Sequence, residues 1–347
     1  MKRKSSGNPT VSDVARESGV GTMTVSRVVN GGRYVSAETA TRVRAAIIKL
    51  GYEPNEAARI LKGHAPRTIG LIVPDLADPF FSMCAHAVQQ LAAQYGYMTL
   101  LCASERDRDR EMEELSLMRS RSVAGILIVP SNSDCVSQLQ ELRVRGIPVV
   151  LLDRTFPGLD AGEVMVENDE GTQKAIDHLI EHGHKNILCV GYDSNFNSIG
   201  QRISGYRKAM IRAGLTPQLL TVEDGATVGA KLLKRLRGPK PPTALFTMNN
   251  VTTTQVLQML QREDIKVPQS VALIGFDDLE LASLLAVPLT AVRQPAAELG
   301  RSAARLLLDW ARAGATEQHA VNPRITLPTE LVIRRSCGCE PPRKILG

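Results

Sequence analysis

The chain has 347 residues, of which 43% are hydrophobic and 22% charged, a balance that excludes general disorder, collagen-like sequence and a disulfide scaffold. Its length predicts two or three domains. The excess positive charge is confined to one end: residues 1–63 hold 11 Lys and Arg against 5 Asp and Glu, and the rest hold 31 of each. A basic head on a neutral body is the asymmetry expected of a polyanion-binding module.

The head reads as three short helices. Thr10-Val-Ser-Asp13 fits a capping box that opens a helix over about 11–18, stopped by Gly19. A second helix is predicted from Thr22 to Asn30, ended by Gly31-Gly32. Ser36 caps a third, in which Val43, Ile47 and Leu50 mark the buried face and Gly51 is the stop. Val14, Ala15, Val20, Val25 and Val28-Val29 can form a small core. That leaves Thr22, Met23, Ser26, Arg27 and Asn30 on the outer side of the second helix. One guanidinium for guanine, hydroxyls for phosphates and a thioether for thymine methyls suit a face that reads DNA.

From Thr68 the pattern changes to short apolar runs alternating with amphipathic helices. The runs are Ile69–Val73, Met98–Cys102, Gly125–Val129, Pro148–Leu152, Asn186–Val190, Ala244–Thr247 and Val271–Gly275. Such runs predict parallel strands covered on both faces, and seven or more of them suit two doubly wound α/β lobes. Polar residues cluster where these strands end: Asp78-Pro-Phe-Phe81, Asp153-Arg154, Asn249-Asn250, Asp277-Asp278 and Gln294. Open parallel sheets bind ligands outside the carboxyl ends of their strands. Aromatic rings for the C–H face of a sugar, with fixed polar groups for its hydroxyls, suit a polyhydroxyl ligand.

At this point a family resemblance is visible. Thr10-Val-Ser-Asp-Val-Ala-Arg-Glu-Ser-Gly-Val20, Thr24-Val-Ser-Arg-Val-Val-Asn30, Val35-Ser36 and Gly51-Tyr-Glu-Pro-Asn55 closely resemble the lactose-repressor (LacI/GalR) family, and the likeness extends over essentially the whole chain. It implies a sequence-specific transcriptional regulator: a helix-turn-helix dimer on a pseudo-palindromic operator, joined to a body like the periplasmic sugar-binding proteins. The implied domains are a DNA-binding head (1–54), a hinge helix (55–63) and an effector-binding and dimerisation body (64–347). Lobe one of that body would cover about 67–161 and 292–323, and lobe two about 162–291 and 324–340. The family's base-reading pair falls on Thr22 and Met23, with further DNA contacts at Thr10, Ser12, Thr24, Ser26, Arg27, Asn30 and Tyr34. Gly21 departs from the usual Ser at the cap of the second helix, which weakens one phosphate contact.

By the same resemblance, residues 55–63 fold on DNA, since nine residues are too few for a stable isolated helix. Asn55, Ala58 and Leu61 would contact DNA there, Leu61 as the wedge that kinks the minor groove. The effector set implied by the ribose-binding branch is Asp78 (where Asn is usual), Phe80, Phe81, Asp153, Arg154, Arg202, Asn249, Asp277 and Gln294. A neutral sugar or polyol ranks first as effector, a sugar phosphate or acid second and a nucleobase third.

Other signals are weak. Gly225-Ala-Thr-Val-Gly-Ala-Lys231 has the wrong spacing for a phosphate loop and is expected to open a helix. His178, His182 and His184 lack a thiol or carboxylate at metal spacing nearby in sequence, and Cys337-Gly-Cys339 lacks partner ligands, so no metal and no cofactor is expected. Scattered cysteines, a basic start without a following apolar stretch and no run of 18 apolar residues predict a cytoplasmic protein with reduced thiols. An enzyme would need an activated nucleophile, a metal set or a P-loop, and a transport-type sugar-binding protein would not carry the basic head.

Overall fold

The computed structural model describes residues 9–29, 34–53, 60, 65–132, 134–156, 158–192, 196–222, 225–313 and 323–339. The chain divides into two compact units, 1–66 and 67–347.

In the first unit, α1 (Val11–Ser18), α2 (Thr22–Val29) and α3 (Ala37–Leu50) pack around Val14, Ala15, Val25, Val43 and Ala46. The capping box forms in both directions: Thr10 Oγ1 accepts from the Asp13 backbone, and Asp13 Oδ2 accepts from Thr10 N at 3.0 Å. The Thr10 hydroxyl also donates to Asp13 Oδ2 at 2.7 Å, and this bond, with that from Thr10 N, holds the Asp13 carboxyl below its usual value. Gly19 and Gly51 take left-handed conformations and end α1 and α3.

The second unit contains two six-stranded sheets. Along the chain its elements are β1 (Thr68–Val73), α4 (Pro79–Gln94), β2 (Met98–Ala103), α5 (Arg108–Ser120), β3 (Ile126–Ile128), α6 (Cys135–Val144), β4 (Val149–Leu152) and β5 (Gly162–Val166). Next come α7 (Asn168–Glu181), β6 (Ile187–Tyr192), α8 (Asn197–Arg212), β7 (Gln218–Val222), α9 (Gly225–Leu236), β8 (Ala244–Thr247), α10 (Asn250–Arg262), β9 (Ala272–Phe276) and β10 (Thr290–Arg293). The last are α11 (Ala296–Ala313), β11 (Arg324–Leu327) and β12 (Glu330–Val332).

Sheet one runs β11-β5-β4-β3-β1-β2 and is parallel throughout. Sheet two runs β12-β10-β9-β8-β6-β7, with only the edge strand β12 antiparallel. Helices cover both faces of each sheet. Sheet one is packed by α4 and α11 on one side and by α5 and α6 on the other. Sheet two is packed by α7 and α8 on one side and by α9 and α10 on the other. Burial on both faces explains why the central strands are almost wholly apolar rather than alternating.

The expected lobe boundaries need correction. β5 and β11 pair in parallel within sheet one, Arg324 opposite Glu163 through Leu327 opposite Val166, so 162–166 and 324–327 belong to lobe one. β10 lies in sheet two, so residues 292 and 293 belong to lobe two. The chain therefore passes between lobes after Val166, around Gln294 and after Leu327. A short strand has the same sequence signature in either sheet, and only its pairing partner decides the lobe.

Candidate functional site

On the head, α2 buries Val25 and turns Thr22, Met23 and Arg27 outward, with Thr24 and Ser26 partly covered. Met23 is 68% exposed, and its Sδ lies 3.8 Å from Arg27 Nη2, so thioether and guanidinium share one face. Thr10 and Ser12 are exposed at the start of α1, and Tyr34 is 95% exposed ahead of α3. Asn30, Asn55, Ala58 and Leu61 lie outside the described residues.

The body carries a cleft between its lobes enclosing about 620 Å³, its open mouth included. All nine residues of the expected effector set line it, drawn from strand ends and helix starts of both sheets. From lobe one, Asp78 caps α4 and accepts from Phe80 N at 3.0 Å. Phe80 and Phe81 meet edge to face with ring centres 5.1 Å apart. Asp153 follows β4 at φ +63°. Beside it, Arg154 donates to Pro130 O at 3.1 Å and stacks 3.7 Å from the Phe196 ring centre of lobe two.

Lobe two contributes Arg202 from α8, which donates to Asn168 Oδ1 (2.8 Å) and Met248 O (2.7 Å) and lies 3.7 Å from the Phe276 ring centre. Asn249 caps α10. Asp277 follows β9 at φ +76° and accepts from Asn250 N at 3.1 Å and from Gln294 Nε2. Two further contacts join the lobes. Asn250 Nδ2 donates to Asp78 Oδ1 at 2.6 Å, and Thr155 and Asn197 exchange hydrogen bonds of 3.2 and 2.6 Å.

The site is rich in buried charge. Burial pushes the Asp153, Asp277 and Asp78 carboxyls up, opposed chiefly by Arg154 at Asp153, by Arg202 at Asp277 and by the Asn250 amide at Asp78. Burial also brings Arg154 down to about 10 and lowers Arg202. Three buried polar atoms of this set have no hydrogen-bond partner: Asp153 Oδ1, Arg154 Nε and Gln294 Oε1. Arg154 Nε is 3.5 Å from Asp153 Oδ2, an ion pair without a hydrogen bond. Unpaired buried groups of this kind are costly, and a ligand with donors and acceptors would satisfy them.

The cleft also includes Arg106, Tyr192, Phe196 and Ser198, which the sequence reading did not select. Asn250 stood among the strand-end residues, yet its bond across the cleft had no sequence signal. Phe196 sits ahead of α8 and is a ring at a strand-to-helix junction, the one cue that could have found it.

Residues 10–55 match the model of bacterial regulatory proteins of the lacI family, and residues 176–337 match a periplasmic binding protein-like domain. The transcriptional regulator DegA of Bacillus subtilis is 32% identical over 336 residues, covering 94% of this chain and 97% of that protein. The chain belongs to the LacI family. It is a DNA-binding transcriptional regulator and not an enzyme. The Escherichia coli repressor CytR is likewise 32% identical, covering 96% of this chain and 97% of the repressor. The lac repressor dimer bound to operator and the anti-inducer ONPF is similar in structure, with a TM-score of 0.84 and 26% identity over 95% of this chain and 99% of that one. The CelR–cellobiose complex aligns with a TM-score of 0.67 and 29% identity, covering 94% of this chain and 99% of CelR. Among the described residues no helix is long and apolar enough to cross a membrane.

Proposed function

We propose that this LacI-family member is a cytoplasmic repressor that binds a pseudo-palindromic operator as a dimer and releases or tightens it when a neutral sugar or polyol enters the interlobe cleft. The observation that carries the ligand class is the trio of unpaired buried atoms, Asp153 Oδ1, Arg154 Nε and Gln294 Oε1, beside the Phe80–Phe81 pair. Two acceptors and one donor beside aromatic rings suit hydroxyl groups on an otherwise C–H-rich ring. Charge supports neutrality: Asp78, Asp153 and Asp277 face Arg106, Arg154 and Arg202 around the same space. A sugar phosphate or acid would upset this balance and ranks second.

Thr22 and Met23 are the base-reading pair of this reading, with Ser26 and Arg27 beside them; residues 55–63 form the hinge helix, with Leu61 as wedge. The effector acts by changing the angle between lobes, and with it the separation of the two hinge attachments in the dimer. Coupling between two such sites is typically about 1–3 kcal/mol, or 5–150-fold in affinity.

A thermal-shift screen of the full chain against pentoses, hexoses, their phosphates and acids, nucleosides and purines tests this reading. A ligand at 100 times its Kd should stabilise the fold by about 2.7 kcal/mol. A neutral sugar hit that alters operator affinity supports the reading. Stabilisation only by anionic or purine ligands would overturn the ligand class and leave the DNA-binding head as assigned.

A further inference from the structure

Two signals that are weak apart in sequence meet in the fold. His178 lies in the last turn of α7, and His182 is the residue that caps that helix. Cys337 and Cys339 belong to the segment after β12, which crosses back onto sheet two where Ser336 Oγ donates to Leu273 O and accepts from Thr290 N. Gly338 sits between the cysteines at φ +93°, a conformation that side-chain-bearing residues rarely adopt, and so turns both thiols toward α7. His178 Nε2 lies 3.4 Å from Cys337 Sγ and 3.2 Å from Cys339 Sγ. Ligand atoms of His178, His182 and Cys339 all lie within 4.8 Å of one another, and Cys337 adjoins this trio through His178.

We propose that His178, His182, Cys337 and Cys339 form a binding site for a thiophilic divalent cation of the zinc class, which fastens the C-terminal segment to α7 of lobe two. Three features of geometry carry this. Zinc holds nitrogen at about 2.0 Å and sulfur at about 2.3 Å in a tetrahedron, which sets neighbouring ligand atoms roughly 3.3–3.8 Å apart. The two His178–cysteine distances, 3.2 and 3.4 Å, match such edges after shifts of a few tenths of an ångström at most. His182 is pre-set as a ligand as well. Its Nδ1 lies 2.7 Å from the His178 carbonyl oxygen, which can only accept, so Nδ1 is the donor there and Nε2 is left as the nitrogen able to bind a metal.

The donor set selects the ion. Two imidazoles and two thiolates favour zinc and related soft or borderline metals over magnesium or calcium, which take oxygen. Binding releases the protons of the two thiols and forms two metal–sulfur and two metal–nitrogen bonds, with no change of oxidation state. With Cys337 drawn in beside His178 as the fourth ligand no open position remains, so the site is structural rather than catalytic. Cys337 is buried and His182 exposed, so the ion would enter from the His182 side. None of these residues lines the interlobe cleft, and the inference stands apart from the effector reading.

The test uses the full chain, reduced and freed of metal with a chelator, then titrated with Co²⁺ as spectroscopic probe. One Co²⁺ per protomer, with the visible bands of tetrahedral cobalt and a thiolate charge-transfer band, both abolished by added Zn²⁺, is the expected result. Cys339→Ser should lose part of the charge-transfer band, and His182→Ala should weaken binding by more than about tenfold. Both positions are at least partly exposed, and circular dichroism of each variant checks that it is folded. Octahedral cobalt alone, or affinity unchanged in both variants, would overturn the proposal. So would a Cys337–Cys339 disulfide forming on removal of reductant with no metal taken up by the reduced protein.

Discussion

The carboxylate of Asp78, at the head of a helix in lobe one, accepts a 2.6 Å hydrogen bond from the side-chain amide of Asn250, the first residue of a helix in lobe two. The same Asn250 donates its backbone N–H to Asp277, which in turn accepts from Gln294. The contact that joins the lobes and the polar groups of the proposed effector site are thus one hydrogen-bonded chain. Asn250→Ala should favour the open cleft and leave Asp78 short of a partner. A hydrogen bond to a charged group is worth about 1.5–3 kcal/mol, so effector affinity should fall roughly 10- to 150-fold. Isothermal titration calorimetry measures this, and an unchanged Kd would mean that the bond does not favour the closed form.

Asp277→Ala removes an acceptor from the cleft and frees both Asn250 N and Gln294 Nε2. The expected phenotype is loss of the effector response with basal operator binding intact. An operator titration with and without effector reads both quantities, and a retained response would place the ligand elsewhere.

On the head, Arg27→Ala should reduce specific operator affinity by about 1–3 kcal/mol while affecting non-specific DNA far less. The ratio of the two affinities is the diagnostic quantity. If both fall equally, Arg27 contacts phosphate rather than a base.

The pH dependence has a sign opposite to ordinary acid denaturation. Asp78, Asp153 and Asp277 have raised values in the fold against an ordinary value of 3.8. As pH falls through those raised values, the folded protein takes up protons before the unfolded chain does, so these groups make the free protein more stable. Ligand binding moves the other way, because a protonated carboxyl no longer offers two acceptors to sugar hydroxyls. The effector-induced thermal shift should therefore shrink as pH drops from neutral toward 3.8, and Asp153→Asn should flatten that dependence.

Close helix packing gives a stability test away from the cleft. A Cβ on Gly300 of α11 would sit 2.4 Å from the Cys84 carbonyl oxygen of α4, and one on Gly205 of α8 would sit 2.2 Å from the Asp169 carbonyl oxygen of α7. In both cases the obstacle is backbone. Each Gly→Ala change should cost about 1–3 kcal/mol, readable as a lower urea midpoint.

Most of this architecture can be read from sequence because it rests on local signals. The Thr10–Asp13 cap, the apolar strands and the polar residues at their ends each declare themselves within a few positions. What could not be read depends on distant pairing. β11 finds β5 across some 160 residues, and nothing in its own sequence says whether it stays with the helix before it in lobe one or joins β12 after it in lobe two. Asn250 meets Asp78 across 172 positions, and His178 meets Cys339 across 161. Those encounters arise from three passages between lobes, which leave no periodicity to detect.

Gln294 lies on one of those passages, between β10 of sheet two and α11 of lobe one. Residues of the cleft that touch only their own lobe could be exchanged to suit a different ligand without altering the contacts between lobes. Gln294 has no such independence, because in the proposed change of lobe angle the backbone that carries its amide must bend as well. Diversification within this architecture should therefore be freer at Phe80, half-buried on lobe one alone, than at Phe81 in the lobe-one core or Phe196 against Arg154 across the cleft, and most constrained at 294, where taste and leverage are set by the same residue.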